Sequence, residues 1–213
     1  MITPAVRRLM LATHLMTSLG WIGAVLVFLA LAVIALTTEN AVVVRGAYLL
    51  MAPAAWFVLV PLAHASLISG IVLSLGTTWG LFKNYWVALK LALTCFATVV
   101  LLIYMGTFRQ MAGVAADPVV DIDAVRNASP VLHSMLALIL LMVATVLGVY
   151  KPFGMTPHAR RAYQDRRSSA SQATALVGNA ASTSFSSWLV AALMLAILIA
   201  FAVLHLLGAG IHH

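Results

Sequence analysis

Lys90 lies inside the apolar run WVALKLALTCFATVVLLIYM, and four histidines, His14, His64, His133 and His205, lie in or at the edge of other apolar runs. A lysine at the centre of a membrane helix is disfavoured by roughly 2.5 to 3.5 kcal/mol, so such a residue faces a cavity, a partner or a ligand by default. Imidazoles that meet across a helical bundle suit the axial positions of haem iron. Soft thioethers suit Cu(I) instead, and Met51, Met105, Met111 and Met135 stand toward the same ends of their runs as His133 and His205. Each residue also has a plainer use. Lysine stems snorkel to the interface, methionine fills gaps in cores, and a membrane histidine can be a hydrogen-bonded packing residue. His212 and His213 are terminal and are assigned no role.

The elements that must position these side chains follow from composition. Hydrophobic residues make up 63% of the 213 residues and charged ones only 8%, against about a quarter charged in a soluble domain. The chain reads as an all-α integral membrane bundle forming a single domain. Apolar stretches long enough to cross a hydrocarbon core of about 30 Å run near 10–36, 47–75, 85–106, 131–149 and 186–208, so five transmembrane helices are expected. The first is too long for the h-region of a secretory signal and reads as a retained span. Pro53 and Pro61 predict a kinked or tilted second helix. Ser129 and Pro130 mark the start of the fourth.

The net charge of +7 follows the loops. Arg7, Arg8, Lys83, Lys151, Arg160, Arg161, Arg166 and Arg167 fall on one side, and Arg45, Arg109 and Arg126 fall with four acidic residues on the other. The positive-inside rule then places the N-terminus in the cytoplasm and the C-terminus outside, in a multi-pass protein of the bacterial cytoplasmic (plasma) membrane. Residues 151–184 form a basic cytoplasmic loop running into a Ser/Ala/Thr/Asn-rich linker. This short basic segment offers no folded nucleic-acid-binding surface; membrane lipids, a membrane protein partner or a second copy of the chain are the expected partners. Cys95 is the single cysteine, which excludes an intrachain disulfide.

Depth along the helices sorts the polar residues. His14 lies about 9 Å in from Arg8, and Lys90 about 10 Å in from Lys83, so the two share a level in the cytoplasmic half. His64 falls near mid-membrane, within possible range of the same space, while His133 and His205 lie near the outer ends. His14, Thr17, Ser18 and Trp21 adjoin on one face of the first helix, and Trp86 and Lys90 share a face of the third. His14, Lys90, His64, Trp21 and Trp86 are thus the expected lining of a cofactor slot, with His14, His133 and His205 as candidate metal ligands.

The segment TTWGLFKNYWVALKLALTCFATVVLLIYM and the exit TVLGVYKPFG resemble an uncharacterised family of small bacterial membrane proteins, especially of actinobacteria, over most of the chain to Gly154. The residues that carry the resemblance are Trp79, Gly80, Tyr85, Trp86 and Lys90. An aromatic residue followed by lysine in the third helix is similar to the membrane part of copper-resistance D proteins. His14, Trp21 and Gly23 with Lys90 are similar to the haem-binding bacterial membrane protoporphyrinogen oxidase. In that family the positions matched by His14 and Lys90 carry function, and the spans differ in number or length. The resemblance implies a haem-type pocket more than it implies that reaction.

Three functions are therefore expected in turn. The first is binding of haem b within the bundle, His14 supplying an axial ligand and Lys90 meeting a carboxylate, with a redox or electron-transfer role. The second is copper handling or transport, and the third a scaffold or accessory subunit without chemistry. Whether the chain is an enzyme is left open by its residues. Five acidic residues, all outside the apolar spans, and the lack of a strand-turn-helix nucleophile motif argue against hydrolase chemistry.

Overall fold

A computed structural model describes residues 3–76, 84–150, 156 and 160. Within them every regular element is helical: α1 (Pro4–Thr37), α2 (Ala41–Ala54), α3 (Val60–Gly76), α4 (Tyr85–Ala116), α5 (Ile122–Val125) and α6 (Ser129–Tyr150). A π-helical turn, Ala55–Leu59, joins α2 to α3. Among the described residues four spans are long and apolar enough to cross a membrane, Ala41–Gly76 counting as one and α5 with α6 as another. The expected fifth span near 186–208, with His205, lies outside the described residues, as does most of the stretch 151–184.

Local chemistry explains the helix ends. Thr3 caps α1 through its hydroxyl, which accepts from the Val6 amide, and Pro4 follows in the first turn; the missing amide hydrogen of proline is no loss there. Asn40 caps α2 by accepting from Val42 and Val43. The second span has a proline on either side of its π turn, Pro53 in α2 and Pro61 in α3. Each proline removes a donor from the helical ladder, and a π turn is a common accommodation of a locally disturbed ladder. The helices also run beyond the apolar stretches. α4 continues past residue 106 to Ala116, because Phe108, Met111 and Ala115 keep its inner face buried while Arg109 and Gln110 face out.

The four spans form a ring in chain order: α1 packs on α2 and α3, these on α4, α4 on α6, and α6 back on α1. α1 and α4 therefore stand across one diagonal, and α3 and α6 across the other. Aromatic contacts fill the half of the bundle nearer the Thr38–Asn40 turn. Phe28 and Tyr104 each meet Phe108 edge-on, with centroids 5.4 and 4.8 Å apart, the arrangement aromatic quadrupoles prefer.

The segment that closes this end, residues 117–128, is held by two arginines. The Arg45 guanidinium donates to the carbonyls of Ala115 (3.1 Å), Asp117 (2.6 Å) and Val120. Arg126 donates to the Thr38 carbonyl at 2.7 Å and pairs with Glu39 and Asp123 at 3.2 and 3.4 Å. The Tyr48 hydroxyl donates to the Asn127 carbonyl and accepts from its amide. The Arg45 bond to Ala115 satisfies one of the last carbonyls of α4, which a helix end otherwise leaves without partners.

Candidate functional site

The opposite half of the bundle is less tightly filled. At the end where the chain begins, α1, α3, α4 and α6 enclose a cavity of about 440 Å³, within the range of about 300 to 1,000 Å³ typical of ligand pockets. Its walls carry Arg7, His14 and Lys90 among leucines and valines, together with hydroxyls from Ser18, Ser66, Ser74, Thr94 and Thr145. No carboxylate lines it among the described residues.

His14 reaches in from α1, and its orientation is fixed from α3. Its Nδ1 lies 3.0 Å from the Ser66 carbonyl oxygen and 3.1 Å from Ser69 Oγ. A carbonyl can only accept, so Nδ1 carries the hydrogen. Ser69 Oγ is free to accept as well, because its own hydrogen goes to Ala65 O at 2.6 Å. In the neutral ring this leaves the lone pair on Nε2. A second tie, Ser18 Oγ to Ser66 Oγ at 2.7 Å, holds α1 and α3 in register.

Lys90 comes across the diagonal from α4, and its Nζ stands 3.5 Å from His14 Nε2. The ammonium thus faces the lone pair that the Ser66 contact leaves behind. Two glycines make room for this meeting. A Cβ on Gly70 would lie 3.1 Å from His14 Cε1, and one on Gly148 would lie 3.2 Å from Lys90 Nζ, both tighter than ordinary contact. The helices that flank the pair therefore present bare backbone to it.

The cavity brings together His14, Lys90 and Trp86 of the residues singled out in the sequence. It does not include His64, whose Nδ1 donates to the Val60 carbonyl of its own helix at 2.8 Å. Ser66, Gly70 and Ser74 set the facing side of α3. His64 precedes Ser66 by two residues, about 200° around the helix, and so points away. Trp21 shares the His14 face but stands two turns further along α1, where it is buried against a second space of about 60 Å³.

His133 lines that second space, stacked on Tyr104 at 4.0 Å, with its Nδ1 2.9 Å from the Ser129 carbonyl. Such a volume has room for a few waters at most. The methionines are divided: Met51, Met105 and Met111 are buried in the core, and Met135 is half exposed. Among the described residues no three or more His, Cys, Asp or Glu side chains gather into a metal-holding group.

Arg7, Ser66, Ser69, Gly70 and Gly148 are the site residues that sequence reasoning misses. One signal was available: Arg7, Leu11, His14 and Ser18 recur at intervals of four, three and four residues, one face of α1. In comparisons with known proteins, no family model, curated protein or solved structure matches the chain.

Proposed function

We propose that this polytopic membrane protein binds, in the cavity between α1, α3, α4 and α6, an apolar ligand that carries an acidic group, and that haem b is that ligand. The observation that carries the reading is the His14 ring. Its Nδ1–H is tied to a backbone carbonyl, a tie typical of a metal-ligating histidine, and its Nε2, which Lys90 Nζ faces at 3.5 Å, lies at the wall of a ligand-sized space. The lining supports the choice in charge as well, since cations without carboxylates suit a molecule that brings its own acid.

His14 would hold the haem iron, as the one imidazole that lines this cavity among the described residues. Haem held there would supply one-electron chemistry. The chain's own part is positional. Ser66 and Ser69 hold the imidazole against rotation; with the ligand bound, Lys90 would turn its ammonium from Nε2 to the acid group; Gly70 and Gly148 leave room beside the pair. Leucines and valines exclude water from the rest of the wall. The copper reading includes His205 and the scaffold reading rests on the basic loop from Lys151; His205 and most of that loop lie outside the described residues.

The test is optical. Protein purified in mild detergent from haem-replete cells is expected to show a Soret band that shifts on reduction with dithionite and is missing from His14→Ala. A colourless wild type, even after added haem, would overturn the reading.

A further inference from the structure

The charges at the two ends of the bundle are treated differently. At the Thr38–Asn40 end, Arg45 and Arg126 are engaged by backbone carbonyls and by Glu39 and Asp123, while Arg109 faces out from the bundle. At the other end, Arg7 and Lys90 both line the cavity, and neither has an acidic partner among the described residues. Glu39, Asp117, Asp121 and Asp123 all lie at the far end, and Asp165, the fifth acidic residue, lies outside the described residues.

Arg7 and His14 are seven residues apart, so they share one face of α1 with about 10 Å between them along its axis. The two fixed cations therefore mark two levels of one space. Lys90 stands at the level of His14, across the diagonal, and exposed Arg7 stands at the mouth. The wall between them carries Leu11 on α1 and Val87 and Leu91 on α4. A single acid at the level of Lys90 would lie about 10 Å from the Arg7 level and so answer only one of the two cations.

We infer that the ligand of this cavity carries two acidic groups on an apolar body, one met by Lys90 and the other by Arg7. The inference rests on the reading of the cavity as a ligand site and adds to it a charge class and a residue. Arg7 also counts toward membrane orientation, as does Arg8. The two can be separated, because Arg8 is exposed and does not line the cavity. The required chemistry is that of an apolar diacid such as haem b; a single phosphate or carboxylate does not reach both levels.

The experiment titrates the purified full-length protein with haem b and with its dimethyl ester, in wild type, Arg7→Gln and Arg8→Gln. The free acid is expected to bind at least about tenfold more tightly than the diester, the scale of a lost charge-assisted hydrogen bond. Arg7→Gln should remove about tenfold from the free acid and nothing from the diester, and Arg8→Gln should match wild type. Equal binding of acid and diester, or an equal loss in both arginine variants, overturns the inference. If wild type binds neither porphyrin, the haem reading fails, and native mass spectrometry with hexadecanedioic acid and hexadecanoic acid decides the inference alone. Arg7-dependent preference for the diacid would bear the inference out with a ligand other than haem; no preference between the two acids would overturn it.

Discussion

Lys90 places a half-buried cation in the bundle with an imidazole, not a carboxylate, as its neighbour. A site kept for binding at the expense of stability has a measurable signature. Lys90→Met keeps the length of the side chain and removes the charge, so the ligand-free variant should melt higher. A gain of about 1 kcal/mol corresponds to roughly 2 to 4 °C in a chain of this size. Thermal unfolding in detergent checks the rise, and haem titration checks that binding falls with it. A melting temperature below that of wild type would make Lys90 a structural residue.

His14 and Lys90 were legible as a pair because depth can be counted from the basic residues at the helix ends, and the two nitrogens do meet. Ser66, Ser69, Gly70 and Gly148 were not legible. Small residues in a membrane helix pack helices together as a matter of course, and only the neighbouring helix shows which of them face a ring or an ammonium. Arg7 was read as an orientation signal, a sufficient use that concealed its place on the His14 face. His64 was placed by depth alone, whereas its phase relative to Ser66 turns it away.

At the scale of the elements, the sequence indicated four of the helices well, because their apolar runs exceed 18 residues and are broken by polar or proline-containing stretches. It fell short at their ends. Caps such as Thr3 and Asn40 and the buried face of α4 beyond residue 106 extend each helix past its apolar run. The two prolines of the second span pointed to a disturbance without giving its form, a π turn between α2 and α3.

The helices also set how closely the paired side chains can approach. Alanine has a higher helix propensity than glycine by about 1 kcal/mol, so Gly148→Ala should favour α6 as a helix. Its Cβ would nevertheless press on Lys90 Nζ from 3.2 Å and push the side chain aside. The expected result is an intact or raised melting temperature with ligand affinity reduced about tenfold, read by haem titration. Unchanged affinity would show that the glycine has no part in positioning Lys90.

Taken whole, the bundle has a closed end and an open one. Aromatic packing and the Arg45 and Arg126 bonds seal the first; cations, hydroxyls and glycines line the second. The distribution of Lys and Arg predicts that the open end faces the cytoplasm. Reporter fusions in the 38–40 turn and in residues 117–128 should then report an extracytoplasmic location, and a fusion at the N-terminus a cytoplasmic one. The reverse pattern would turn the cavity mouth to the outside and change which ligands can reach it.

The central claim, that one cavity built around His14 takes the ligand, is tested most directly by haem content per chain in purified wild type, His14→Ala and His133→Ala. The account predicts about one haem in wild type, almost none in His14→Ala and the wild-type amount in His133→Ala, whose imidazole lines only the 60 Å³ space. Equal haem in wild type and His14→Ala, or loss in His133→Ala alone, would contradict it.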